Sequence, residues 1–338
     1  MPRTALTEGR SSKGLAGETW KKCSKGSDVE KGTDAVKLLI ILGPTASGKT
    51  ELAVRLAESC GAEIVNADSM QVYRRMDIGA AKPSPEQLRR VRHHLLDLVD
   101  PDQPFTAADF RREAGKAIAD IAGRGKRVII SGGTGLYIKA LTKGLMDSPA
   151  GDETLRNEFR QLAEREGREE LHRRLFLVDP VTAARLHPHD QLRIIRALEV
   201  WQLTGHTISE LRGGHRFAGD SYVSLKLGLK IDRESLYTTI DNRVERMIGN
   251  GFVEEVRALL ADGYSPELKP LRAIGYRQMC GYLSGEFLLE EAIQLMKRDT
   301  RRYAKRQLTW FHQDADINWI EYPANVAIIV QNVNDFFD

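Results

Sequence analysis

Eight residues, Gly43-Pro44-Thr45-Ala46-Ser47-Gly48-Lys49-Thr50, constrain this chain more than any other feature of it. They fit the pattern G-x-x-x-x-G-K-[ST], follow the apolar run 38–42, and precede a segment apolar at Leu52, Ala53, Leu56 and Ala57. An unbroken apolar run reads as a parallel strand covered on both faces, and the three-four spacing after the glycines reads as an amphipathic helix. Strand, glycine loop and helix in that order set a row of backbone N–H groups at a helix N-terminus, where they would cradle a di- or triphosphate. Lys49 would neutralise its terminal oxygens, and the Thr50 hydroxyl would ligate Mg²⁺. The plainer alternative is a glycine turn that only caps a helix.

The alternation continues down the chain. Segments 62–66 and 127–131 read as strands with a helix over 107–122 between them, and 222–231 reads as a further strand. The fold class this implies is α/β, a P-loop NTPase-like parallel sheet core. Residues 152–212 read as helices throughout, with turns at Asp179-Pro180, His187-Pro188 and Thr204-Gly205. The expected organisation is therefore a core over 37–146 and 215–338, interrupted by an all-helical insertion over 147–214. Further helices are expected over 235–248, 253–260, 272–283 and 289–312, then a short strand and a last helix. The first 36 residues, rich in Gly, Ser, Lys and Glu, lack apolar periodicity and read as a disordered extension. Glu8, Glu18, Asp28 and Glu30 speak against a transit peptide there.

Composition narrows the function classes only locally. Net charge is +3, but residues 1–37 carry eight basic and five acidic side chains, so the rest of the chain is formally neutral. A nucleic-acid partner must therefore rest on local clustering. Three cysteines, Cys23, Cys60 and Cys280, form no metal-ligand spacing, and their odd number suits a reducing compartment. No apolar run approaches the roughly 20 residues that span a bilayer. The expectation is a soluble, cytoplasmic protein without a membrane partner.

Three further segments bear on chemistry. The strand 127–131 runs into Gly132-Gly133-Thr134-Gly135 with no carboxylate, which weakens a motor or switch NTPase reading. A carboxylate instead stands at Asp68, just past the second strand, where the mouth of an α/β sheet opens. It could take a proton from a substrate beside the phosphates, or merely cap the next turn. Near the C-terminus, Lys297, Arg298, Arg301, Arg302, Lys305 and Arg306 fall on two adjacent helical stripes, one basic face. Leu289, Ile293, Met296, Thr300, Tyr303, Gln307 and Trp310 form the opposite stripe. The basic face fits a polyphosphate partner or an ordinary solvated surface. His93-His94 and His187-x-His189 lack a third ligand at metal spacing and read as structural, and Trp201, Trp310 and Trp319 as core.

Taken in order, seven blocks resemble one family, the tRNA dimethylallyltransferases or isopentenyltransferases. They are the glycine loop; Ala67-Asp-Ser-Met-Gln-Val-Tyr73 with Asp77-Ile-Gly-Ala-Ala-Lys-Pro83; His93-His-Leu-Leu-Asp97; Gly132-Gly-Thr-Gly-Leu-Tyr137; 191–199; Ala273-Ile-Gly-Tyr-Arg277; and Ala304-Lys-Arg-Gln-Leu-Thr-Trp-Phe311. Departures are the N-terminal extension and Gln191-Leu192-Arg193, where the family has Gln-Arg directly. No Cys/His zinc module follows the last strand, as in bacterial members. The resemblance implies transfer of a dimethylallyl group from dimethylallyl diphosphate to the N6 amine of the adenosine 3′ to a tRNA anticodon, with Mg²⁺. It implies Asp68 as general base, with Lys49, Thr50 and Arg243 around the reacting diphosphate. Ser69, Met70 and Gln71 would line the pocket for the turned-out base. The tRNA anticodon stem-loop would meet Thr134, Arg156, Gln191, Arg193, Ile194, Ile195, Arg272, Gly275, Tyr276 and Arg277, and the insertion would serve tRNA; on the basic face, Arg301, Lys305 and Arg306 join this set. A monomer is expected. Rival readings are an adenylate dimethylallyltransferase, a P-loop small-molecule kinase and a nucleotide-gated RNA-binding switch.

Overall fold

A computed structural model describes residues 35–146, 148–214, 222–322 and 326–338. The extension expected over 1–36 thus lies, up to residue 34, outside the described residues. Strand β1 (Val36–Leu42) leads through the glycine loop to α1 (Lys49–Cys60), β2 (Ala62–Asn66), α2 (Pro85–Arg90) and β3 (His93–His94). Then come α3 (Ala107–Gly123), β4 (Arg127–Gly132) and α4 (Gly135–Lys143). Five helices follow: α5 (Glu153–Glu166), α6 (Arg168–Val178), α7 (Pro180–Ala183), α8 (Gln191–Thr204) and α9 (Ile208–Gly214). The chain returns through β5 (Tyr222–Lys230) to α10 (Arg233–Gly249), α11 (Phe252–Ala261), α12 (Tyr276–Leu283), α13 (Leu289–Phe311), β6 (Ile317–Glu321) and α14 (Val326–Phe337).

The six strands form one parallel sheet in the order β3-β2-β4-β1-β5-β6, with Ile40 of β1 level with Ile130 of β4 and Lys226 of β5. Alternation along β1 explains its continuous apolarity. Leu38, Ile40 and Leu42 pack with residues of α3, α4 and α10 to α13 on one face, while Leu39 and Ile41 pack with α1 and α14 on the other. Each such fully buried Leu or Ile contributes about 1.5–3 kcal/mol, so a polar residue anywhere in the run would be costly. Parallel strands bring the carboxyl ends of β1, β2 and β4 side by side, and the glycine loop, the Asp68 turn and the Gly132-Gly133-Thr134 turn leave from that edge. Close approach there demands glycine: a Cβ on Gly132 would stand 2.1 Å from the Ala67 carbonyl oxygen.

Helices α5 to α9 close over their own apolar cluster, including Leu162, Leu171, Leu175, Ala183, Ile194, Leu198 and Val200. Several expectations change. The helix expected from residue 272 starts at Tyr276, because Gly275 at φ +93° breaks the helical path before it. Helix α4 was not foreseen, although Tyr137, Ile138 and Leu141 carry its apolar face, because the glycines before it mask its start. Trp201 and Trp310 are not core, each being 39% exposed, whereas Trp319 is half-buried against the His312 ring, 4.6 Å between centroids. Among the described residues no helix is long and apolar enough to cross a membrane.

Candidate active site

The glycine loop takes the form its sequence suggests. Ala46 at φ +64° and Gly48 at φ +82° are left-handed turns within it, and alternating handedness is what makes successive N–H groups converge on an anion. Lys49, first residue of α1, folds its ammonium back onto the Pro44 carbonyl at 2.6 Å. Burial chiefly, and the nearby Arg243 guanidinium next, push Lys49 down from its ordinary 10.5 to about 7, while the Asp68 carboxylate pulls the other way. Burial likewise lowers Arg243, again opposed by Asp68. Two cations crowded together in the field of one carboxylate are a site short of negative charge.

Asp68 supplies that one carboxylate. Its Oδ1 accepts the Met70 N–H at 2.8 Å, so it does cap its turn, but Oδ2 takes no hydrogen bond from the described residues. The turn-capping reading of Asp68 therefore holds for one oxygen, while the other keeps no partner among the described residues. Its field also reaches Tyr303, which burial foremost pushes up to about 12, and Tyr137, raised by burial first and then by its anionic neighbours. The turn is tied to β4: Ser69 N–H donates to Thr134 Oγ1 at 3.0 Å, and Thr134 N–H to the Ala67 carbonyl at 3.2 Å. Thr134, expected at the RNA, is thus also the brace of the Asp68 turn.

Gln71 is anchored from behind. Its amide nitrogen donates to the carbonyls of Ala80 at 3.4 Å and Ala81 at 3.1 Å. That loop is in turn clamped by Glu255 of α11, whose carboxylate accepts the N–H groups of Asp77, Ile78 and Gly79 at 2.9, 2.6 and 3.1 Å and the Tyr276 hydroxyl at 2.7 Å. Lys82 adds bonds to the Tyr73 carbonyl and the carboxylates of Asp77 and Asp97. Tyr276 is consequently core, 1% exposed against Phe252, which corrects its assignment to RNA; Gly275 beside it is buried too.

The expected RNA residues sort into two groups. Arg193, Arg272, Arg277, Lys305 and Arg306 are exposed, Gln191 is half-buried, and Arg277 donates to Asp299 at 2.9 Å. Ile194 and Ile195 are corrected: they point into the insertion's own core, 0% and 4% exposed. Arg301 is held by Asp241 and lies over the Tyr237 ring, and Lys297 is held by Glu245, so two of the six cations on the basic face of α13 turn to carboxylates of α10. Arg298, Arg302, Lys305 and Arg306 remain outward. Arg156 reaches Glu199 at 2.8 Å. Glu199, fully buried on α8, also accepts the Asp152 N–H at 2.7 Å and pairs with Arg196, which bonds Ser148 and the Pro149 carbonyl at 3.0 and 2.7 Å. Burial disfavours the Glu199 carboxylate, but these donors outweigh it and hold its pKa below the ordinary value. Similarly, Arg124 before His94 holds Glu63 down to about 2 against burial, with His94 Nε2 at 2.7 Å, a structural use for that histidine. The supporting roles of Glu199 and Glu255 were missed by sequence reasoning, for no local spacing marks a residue that serves backbone groups far along the chain.

A glycine loop between β1 and α1, a carboxylate just past the end of β2 and none at the end of β4 fit a P-loop group transferase rather than a nucleotide hydrolase. Comparison with known proteins agrees. The family model described as IPP transferase matches residues 71–314. A tRNA dimethylallyltransferase 2 of Geotalea uraniireducens is 61% identical over 306 residues, covering 90% of this chain and 99% of that one. The tRNA dimethylallyltransferase of Geobacter sulfurreducens is 60% identical over 301 residues, covering 89% and 97%. Among solved structures, the full-length tRNA isopentenylpyrophosphate transferase of Bacillus halodurans aligns with TM-score 0.66 at 38% identity, over 89% of this chain and 96% of that one. A eukaryotic dimethylallyltransferase acting on tRNA aligns with TM-score 0.72 at 30% identity, over 85% and 74%. The chain belongs to the tRNA dimethylallyltransferase, or IPP transferase, family.

Proposed function

We propose that this protein transfers a dimethylallyl group from dimethylallyl diphosphate to the N6 amine of the adenosine 3′ to a tRNA anticodon, releasing pyrophosphate. The observation that carries the reading is Asp68, with one free oxygen, in the field of Lys49 and Arg243 at the shared edge of β1 and β2. An adenine amine is a weak nucleophile because its lone pair is delocalised, so transfer needs both a base and a stabilised leaving group. As the N6–C bond forms and the allylic C–O bond breaks, the electron pair leaves with the diphosphate and the N6 proton passes to Asp68. Lys49, Arg243 and the loop N–H groups face that growing charge. The Thr50 hydroxyl, which takes no hydrogen bond from the described residues, is a hard oxygen donor that suits Mg²⁺. A divalent cation held there by Thr50 and diphosphate oxygens would supply further charge neutralisation. Residues Ser69, Met70 and Gln71 would receive the base, turned out of the anticodon loop. The exposed cations Arg193, Arg272, Arg277, Lys305 and Arg306, with the helical insertion, would meet the RNA backbone.

Labelled dimethylallyl diphosphate, offered separately with bulk tRNA and with AMP, tests the reading. Label is expected in tRNA alone; label in AMP alone would replace this activity with adenylate prenylation. Asp68→Asn should lower transfer on the order of 10² or more with donor binding kept, the scale of a lost general base.

A further inference from the structure

Gln307, on the buried side of α13 and 7% exposed, reaches into the space between the glycine loop and the end of β4. Its Oε1 accepts the Thr45 N–H at 2.8 Å, and its Nε2 donates to the Gly133 carbonyl at 2.8 Å. The fit is close: a Cβ on Gly133 would come within 2.4 Å of that Nε2. Pro44, immediately before Thr45, has no N–H at all. Two successive positions in the first half of the loop therefore offer an anion no donor, and the loop donors that remain run from Ala46 to Thr50.

The position matters because of where a third phosphate would go. Donors nearest the helix hold the phosphate next to it, and a further phosphate extends past the first half of the loop toward the neighbouring strand. In P-loop enzymes acting on triphosphates a strand carboxylate directs the metal for that group. Here the neighbouring strand is β4, which ends Ser131-Gly132-Gly133 without a carboxylate, and the Gln307 amide fills the gap.

We propose that Gln307 is a specificity-determining residue that closes the third-phosphate position of the loop, so that the site takes a diphosphate and rejects a triphosphate. The proposal rests on the diphosphate reading above. It gives one physical cause for two features of this chain, the missing strand carboxylate and the two glycines in its place. The selection is by withdrawn donors as much as by bulk, because a terminal phosphoryl group placed there would lose water without gaining the Thr45 N–H.

Calorimetric titration of the full chain with inorganic pyrophosphate and with inorganic tripolyphosphate, in excess Mg²⁺, tests it without relying on transfer. Wild type is expected to bind tripolyphosphate no more tightly than pyrophosphate, despite its greater charge. Gln307→Leu, which frees the Thr45 N–H, should shift the ratio of the two dissociation constants about tenfold toward tripolyphosphate, the effect of one hydrogen bond to an anion. Gln307→Glu keeps an acceptor for Thr45 and adds negative charge, so the ratio should stay or move against tripolyphosphate. A wild-type preference for tripolyphosphate of tenfold or more overturns the proposal. So does an unchanged ratio in a Gln307→Leu protein whose thermal unfolding is otherwise normal, and so does a Gln307→Glu shift toward tripolyphosphate. Should Gln307→Leu fail to fold, the wild-type and Gln307→Glu ratios still decide. If wild type selects pyrophosphate yet transfers nothing from dimethylallyl diphosphate, the proposed activity falls and this inference stands.

Discussion

Lys49 makes the binding of a diphosphate a proton-uptake reaction, with a size that follows from its surroundings. In the free site its pKa is pushed down to about 7, chiefly by burial and secondly by Arg243. An arriving diphosphate places negative charge against the ammonium and raises its pKa toward or above the ordinary 10.5. At pH 8 a group of pKa 7 is about one-tenth protonated, so binding should take up about 0.9 proton. For dimethylallyl diphosphate, a monoester whose last ionisation, at about 6, is largely complete by pH 7, affinity should then fall by up to about tenfold per pH unit above 7. The sign for the apo protein is the reverse: the unfolded chain holds the Lys49 proton up to 10.5 and the folded one only to about 7, so this group adds stability as pH rises between those values. Calorimetry in two buffers of different ionisation enthalpy measures the uptake directly. Lys49→Arg, charged at every accessible pH, should abolish both the uptake and the slope even if it binds more weakly. A dissociation constant that stays flat from pH 7 to 9, with no buffer dependence of the heat, would refute this account of Lys49.

Three other perturbations have defined outcomes. Glu199→Ala removes a fully buried acceptor from Arg156, Arg196 and the Asp152 N–H; because both arginines can swing to solvent, the loss should be about 2–3 kcal/mol. Equilibrium unfolding should report it, and a loss below about 0.5 kcal/mol would show that the hub is redundant. Glu255→Ala opens three N–H groups and frees the loop that holds Gln71, so KM for tRNA should rise about tenfold while pyrophosphate binding stays constant; equal losses in both would point to general unfolding instead. Replacing Arg302 and Lys305 by Ala should flatten the salt dependence of anticodon stem-loop binding by roughly 0.7–0.9 log units per lost phosphate contact, whereas Arg301→Ala, already paired with Asp241, should flatten it less. Identical slopes for all three proteins would retire this face as an RNA surface.

The core and the glycine loop were legible because their determinants are local. The apolar run of β1, the glycine loop and the first turn of α1 occupy fifteen consecutive residues, 36–50, and each property needed there, two-sided burial, left-handed turns and a lysine at a helix start, is a property of near neighbours. Asp68 could be placed for the same reason, one turn past a strand whose end must open on the sheet's mouth. Helical periodicity likewise placed α13 within a residue of its end, but it could not say which cations stay free. That depended on α10 laying Asp241 and Glu245 against Arg301 and Lys297.

The sequence by itself therefore determined the parallel α/β core, the glycine loop and the place of the Asp68 carboxylate at the mouth of the sheet, since these follow from residue order over one strand and one turn. Tertiary structure alone decided what holds them in place. Gln307 meets Thr45 across 262 positions, and Glu255 meets the loop at Ile78 across 177. A single amide or carboxylate on a helix face has no periodicity to betray it, and its partners are backbone N–H groups, which every residue but proline possesses. Only packing selects which of those groups lies within reach, and so only the fold shows that an amide takes the Thr45 N–H and a carboxylate clamps the loop at Asp77, Ile78 and Gly79.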